Sequence, residues 1–358
     1  MLKLIGNAVL LLFVLLVLTG CGNSEPTATS MLPTAVITTR AGSTTPSSSS
    51  TPLSGSYLGQ ATPGSSPVIF AREIISGELH TPPVFAPDGS EAYWGMQGKG
   101  IYMTKFENGS WTRPANVTFS ASMTDYRDPF LAPSGDRLFF LSKGRLPGSG
   151  LPEKENIWFV ERTATGWGEP QPLSEEVNSH ETHWQLSVDN KGNLYFTSRK
   201  AGLEDIYVSR YANGQYVTPE KLSDAVNTED LCEMTPYIAP DGRYLIFSRY
   251  DPKNSSTIRL YISYAEDNGG WTQSALIAKI RYGLCPVVTP DGKYLLFLSS
   301  PQTVSWMNTE FIEALRPSVQ KPSEVSETPE GCFIVNRAWR KGVTLMMNAL
   351  TTRGVKLC

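Results

Sequence analysis

Three histidines, His80, His180 and His183, are all that 358 residues provide, so imidazole chemistry has few places to occur. No Gly-x-Ser-x-Gly stretch is present. A serine hydrolase of the α/β kind carries its nucleophile on that strained turn, and its absence excludes a domain of that class. Positive charge is also scarce: 31 Lys and Arg stand against 34 Asp and Glu, a net charge of −3, with no basic stripe. Nucleic acid demands clustered cations and a strongly positive field, so no nucleic-acid partner is expected. The five cysteines are Cys21, Cys232, Cys285, Cys332 and Cys358. Export would permit disulfides. Yet Cys232 and Cys285 differ by three places in the alignment described next, and spacing fixes no connectivity.

What the chain has in quantity is one hairpin, written five times. The copies read PPVFAPDGSEAYWG (Pro82 to Gly95), DPFLAPSGDRLFFLS (Asp128 to Ser142), HWQLSVDNKGNLYFTS (His183 to Ser198), TPYIAPDGRYLIFSR (Thr235 to Arg249) and CPVVTPDGKYLLFLS (Cys285 to Ser299). In each, two apolar runs flank a turn in which Pro fixes φ, Asp bonds nearby backbone and Gly accepts positive φ. The third copy replaces the Pro by Asp189-Asn190-Lys191-Gly192 and keeps the turn chemistry. A third run follows the hairpin: Gly100 to Phe106, Asn156 to Arg162, Asp205 to Tyr211 and Arg259 to Ala265. After a Gly-containing turn, Trp111, Trp167, Tyr216 or Trp271 then opens a fourth. Four antiparallel strands recurring every 45 to 55 residues or so suit a propeller blade rather than a helical solenoid. The expected fold is therefore all-β: a β-propeller of four-stranded antiparallel blades, five in number rather than six. Trp94, Phe139, Phe140, Trp158, Tyr195, Phe196, Phe247 and Phe297 occupy matching places and read as packing between blades, not as ligand-stacking groups.

The Pro-Asp-Gly hairpin followed by Asp205-Ile206-Tyr207 or its variants resembles the WD-like repeat of TolB-type β-propellers of bacterial envelopes. The resemblance spans about Val68 to Asn308 and implies architecture, while one propeller hosts many unrelated activities. TolB itself has an α/β domain before its propeller and is not lipidated; neither feature matches here, so its partner is not carried over.

The ends of the chain differ from its middle. Residues 1–21 hold Lys3, an apolar run from Val9 to Leu18, and then Leu18-Thr19-Gly20-Cys21. The run is short for a bilayer span and has the form of an export signal. Its ending resembles the bacterial lipoprotein signal, which implies lipidation of Cys21, a membrane partner through the acyl chains, and an extracytoplasmic location in the cell envelope, periplasmic or at the surface. Residues 22–66 are rich in Ser, Thr and Pro and read as a disordered tether. The propeller is expected over residues 67–316, with Val68 to Ile75 supplying the missing outer strand of the last blade and so closing the ring. A short helix near Phe311 to Pro317 ends the regular part. Residues 317–358 read as a tail or flap.

Candidate contacts come from the entrances of the innermost strands, near Thr81, Arg127, Thr182, Met234 and Leu284. The longest and most polar of these stretches place Tyr126, Arg127, Asp128, His180, Glu181, His183, Trp184, Asp230 and Glu233 around a central funnel. His180 and His183 invite a metal, but on a strand a His-x-x-His spacing splays the two rings, and no third ligand accompanies them. Asp88, Asp241 and Asp291 stand one per blade, too far apart for a calcium site, and read as turn caps. No metal and no cofactor is expected. The leading functional reading is a tethered module that binds a protein or glycan. Its rival is a glycan hydrolase using Glu181 and Glu233 across the funnel as acid and base, which would require the two carboxylates to stand about 5 to 10 Å apart.

Overall fold

A computed structural model describes residues 54–121, 123, 125–144, 154–199 and 203–317. Cys21, the rest of the signal and tether to residue 53, and residues 318–358 lie outside the described residues. The chain forms a five-bladed β-propeller. From the axis outward, blade 1 takes Val84–Phe85, Glu91–Met96 and Gly100–Glu107, with Ser110–Trp111 and Ala115–Asn116 at its rim. Blade 2 takes Arg127–Leu131, Arg137–Ser142 and Asn156–Thr163, flanked by Gly166–Trp167 and Gln171–Pro172. Blade 3 is Thr182–Val188, Leu194–Ser198, Asp205–Ser209 and Glu220–Lys221. Blade 4 is Cys232–Ile238, Tyr244–Asp251, Asn254–Tyr264 and Ala275–Leu276. Blade 5 has Leu284–Val288, Tyr294–Ser300 and Thr303–Asn308, and its fourth strand is Val68–Ile69 from the other end of the chain.

The five turns close as their sequence dictates. The glycines Gly89, Gly135, Gly192, Gly242 and Gly292 all have φ between +73° and +82°, which L side chains adopt only under strain. Each donates its N–H to the carbonyl three residues back, at 2.8 or 2.9 Å. Asp88, Asp241 and Asp291 accept the N–H two residues on, at 2.9, 3.0 and 3.2 Å, which is the turn-capping role expected of them.

Middle strands are buried on both faces because a neighbouring blade covers each; Leu194–Ser198 and all but the last residue of Tyr244–Asp251 are inaccessible. This is why the runs are continuously apolar instead of alternating. Trp94, Phe139, Phe140, Phe196, Phe247 and Phe297 are among the largest fully enclosed side chains.

Two asparagines tie the outer part of a blade to the next entrance. Asn178 accepts the Ile157 N–H at 2.8 Å and donates to the carbonyls of Ile157 and Leu173 at 3.1 and 3.0 Å. Asn227 repeats this on Ile206 and Leu222 at 2.8, 2.9 and 2.9 Å. Both are buried, and both follow a buried valine in the recurring stretch Leu-Ser-x-x-Val-Asn.

The closing strand differs from expectation in length. Only Val68 and Ile69 pair, opposite Trp306 and Ser305, because Ala71 turns the chain with φ +44° and its carbonyl accepts the N–H groups of Ile74 and Ile75. Upstream, residues 54–66 were expected to belong to the tether, but they lie on the ring. Leu58 is wholly buried, and Tyr57 meets Phe85 of blade 1 and Tyr294 and Trp306 of blade 5 edge-on at 5.3 to 5.9 Å. Trp111 donates its indole N–H to the Gly55 carbonyl at 2.9 Å. A stretch of low overall hydrophobicity thus docks through two side chains, forming a clasp over the seam between the last blade and the first. The terminal helix runs Glu310–Ala314. Among the described residues no helix is long and apolar enough to cross a membrane.

Candidate functional site

Four inner strands carry a register break at one place, and the residue there adopts a left-handed backbone: Asp128 (φ 49°), Trp184 (φ 64°), Thr235 (φ 51°) and Cys285 (φ 53°). Such a conformation costs a non-glycine residue about 1 to 2 kcal/mol. The strain is held by bonds linking the blades around the axis. Thr235 donates its N–H to the Thr197 hydroxyl at 3.0 Å, and Cys285 donates its own to the Thr235 hydroxyl at 3.3 Å. Gln185 of blade 3 donates to the Pro286 carbonyl of blade 5 at 2.7 Å. Blades 3 and 5 are not neighbours, so this bond crosses the axis and closes the channel.

At the funnel rim above this plug, His80 and Asp128 form a pair. His80 sits at the entrance of blade 1 and bonds through Nδ1 to the buried Asp128 carboxylate of blade 2. The His80 backbone N–H reaches the Gly95 carbonyl at 2.9 Å, and a Cβ at Gly95 would come within 2.9 Å of the Thr81 hydroxyl and 3.2 Å of the His80 Cβ. Only glycine there lets His80 seat. Trp184 stacks on the imidazole from blade 3, with ring centres 5.0 Å apart and planes 19° from parallel. Burial alone would push the imidazole pKa down; the charge and hydrogen bond of Asp128 outweigh it and raise the pKa above the ordinary histidine value. The second carboxylate oxygen of Asp128 is buried with no protein partner.

Beside this pair lies a cleft of about 360 Å³, lined by His80, Gln97, Lys99, Asp125 and Arg127 together with backbone of the blade 1 hairpin. Arg127 is fixed by two carboxylates, Asp125 to its Nε and Glu155 to a terminal nitrogen, both at 2.8 Å. Asp125 also accepts the Lys143 N–H at 2.9 Å. Desolvation works against the guanidinium, yet the two carboxylates hold its pKa above the usual arginine value, so it stays charged.

The sequence candidates divide sharply. Arg127, Asp128 and Trp184 meet at this rim. Tyr126 instead packs at right angles against Phe119 and bonds the Ser120 backbone twice at 3.1 Å, a role in packing. His180 is buried edge-on against Phe196 and Tyr207. Glu181 and Asp230 are exposed, while the side chain of His183 lies outside the described residues. Glu233 is fully buried, accepting from Arg249 at 2.7 Å and from the Thr228 hydroxyl and N–H at 2.8 and 3.1 Å. Its carboxylate is spent on that pair and has no opening to a substrate, so Glu181 and Glu233 do not face each other across a funnel as acid and base.

Reading the sequence missed His80, Lys99 and Glu155. For His80 a signal existed: with Pro82 aligned on Asp128, it takes the place of Tyr126 at the corresponding entrance. Lys99 and Glu155 sit in hairpins whose lengths differ from blade to blade, and no repeat position marks them.

Comparison with protein-family models found no match, and comparison with curated proteins found none either. Similar solved structures include a GH43 protein from Bacillus licheniformis at 11 % identity, covering 75 % of this chain and 56 % of that one, with a TM-score of 0.45. An α-L-arabinofuranosidase from Lactobacillus brevis matches at 12 % identity over 65 % and 90 % of the two chains, with a TM-score of 0.43. A dihydro-heme d1 dehydrogenase matches at 16 % identity and a TM-score of 0.34; the region shared is 62 % of this chain and only 42 % of that one. At this level of identity the likeness concerns the propeller fold alone.

Proposed function

We propose that this protein is a lipid-anchored, extracytoplasmic propeller of the TolB-like kind that binds a glycan in the cleft between blades 1 and 2. One observation carries the binding site: His80 and Arg127 are each immobilised by buried or half-buried carboxylates at the edge of a 360 Å³ cleft. Preorganised polar groups lose little entropy on binding, and a hydroxyl-rich ligand needs fixed donors and acceptors side by side. The anchor rests on Leu18-Thr19-Gly20-Cys21 after its apolar run, and the envelope setting on the repeat resemblance.

Hydrolysis is the second reading, favoured by the Asp125 carboxylate in the cleft lining, with Asp128 and Glu155 behind it on His80 and Arg127. One experiment addresses both: the full chain is applied to a glycan array, with the same samples assayed for released sugar. Retention of a glycan that weakens at least tenfold in Lys99→Ala and His80→Ala, with no sugar released, supports binding. Released sugar that disappears in Asp125→Asn would make it a hydrolase. Silence on every glycan would sink both readings and leave a protein partner.

A further inference from the structure

Resting on the glycan reading, we infer that the cleft selects the uncharged end unit of a glycan chain, and neither an acidic sugar nor an internal segment.

Charge supplies the first part. The groups in and just behind the cleft are the cations His80, Lys99 and Arg127 and the carboxylates Asp125, Asp128 and Glu155. With His80 protonated beside Asp128 the formal charges cancel. An acidic ligand would meet Arg127 already held by two carboxylates and would be repelled by both. An amino sugar would meet Lys99 and Arg127. A neutral hydroxyl escapes both penalties, because it donates to a carboxylate and accepts from a guanidinium or ammonium at once.

The second part comes from the closed axis. The Gln185 bond to the Pro286 carbonyl spans the channel, and Asp128, Thr235 and Cys285 beside it are fully buried. A chain has no exit through the ring. The cleft volume of about 360 Å³ lies near the lower limit of ligand pockets, about 300 to 1,000 Å³. A cleft of that size suits a single sugar unit at a chain end better than several units of a chain laid through it.

The test titrates the full chain by calorimetry with neutral disaccharides of glucose, galactose, mannose and arabinose, with glucuronic and galacturonic acids, and with glucosamine. At least one neutral sugar is expected to bind ten times more tightly than its acidic and amino counterparts. Lys99 is an exposed side chain, so Lys99→Glu should fold normally and move the preference toward glucosamine by a factor of ten or more. An acid that binds as well as its neutral parent overturns the charge inference and leaves the glycan reading standing. Failure of every sugar overturns both. For the chain end, the neutral oligosaccharide and its long polymer are compared at equal mass. End recognition makes apparent binding follow the number of ends, so equal binding would refute it.

Discussion

Asn227 offers a demanding test of the fold, because one side chain there completes three backbone hydrogen bonds inside the protein. Asn227→Ala leaves the Ile206 N–H and the Leu222 carbonyl buried without partners, and takes from the Ile206 carbonyl one of its two donors, the Leu222 N–H remaining on it at 3.0 Å. Each lost bond is worth about 1 kcal/mol, and stranded buried groups add to that, so the loss should reach about 4 kcal/mol. For a domain of this size about 2 to 4 °C accompanies each kcal/mol, which puts the fall in Tm at about 8 to 16 °C. Asn178→Ala, with the same three bonds in the preceding crossover, should behave alike. Asn227→Asp keeps the shape but turns a carboxylate oxygen toward two carbonyls, so it should cost at least as much as alanine. Thermal and urea unfolding followed by circular dichroism would measure all three. A loss below about 1 kcal/mol in both alanine variants, or an aspartate variant more stable than alanine, would refute the reasoning.

Three further outcomes are expected. Leu58→Ala empties a fully buried site in the clasp and should cost about 2 to 5 kcal/mol in urea unfolding, whereas a free tether would make it neutral. Glu233→Gln weakens a buried pair and leaves Arg249 uncompensated, for a loss of about 3 to 5 kcal/mol; unchanged stability would mean that the pair is replaceable by water. Because the pKa of His80 is raised in the folded state, its pair with Asp128 contributes fully below the unfolded value of about 6.5 and is lost as pH rises through the higher folded value. Urea midpoints measured from pH 5.5 to 9 should therefore decline less steeply above pH 6.5 in His80→Asn than in the parent, and identical slopes would count against the pair.

The ring was legible because its signal is local and repeated. Pro240-Asp241-Gly242 and its four counterparts each specify a hairpin by backbone chemistry alone, and the aromatic runs between them need two covered faces. The closing role of Val68 was legible by counting strands. The clasp was not, since Tyr57 and Leu58 are two apolar residues in a polar stretch and their value lies in where blades 1 and 5 happen to meet. At the rim, Arg127, Asp128 and Trp184 stood out by position, but Glu233 was misread. A carboxylate at a strand entrance looks the same in sequence whether it faces solvent or Arg249, sixteen residues away on the neighbouring strand. The asparagine crossovers were written in the sequence twice, as Leu173 to Asn178 and Leu222 to Asn227, and needed only the offset between two blades to be noticed.

The clasp also determines how this ring answers to force. Strand Val68–Ile69 sits at the outer edge of its sheet, where pulling from the N-terminal side would peel two residue pairs one after the other, a weak geometry. Tyr57, Leu58 and the Gly55 carbonyl lie upstream of that strand and grip both sides of the seam. Tension applied before Ser54 therefore meets ring packing loaded in shear before it reaches the pairs that hold the circle shut. The clasp acts as a strain relief, like the knot tied in a cord inside its socket, and the ring stays closed until the knot slips.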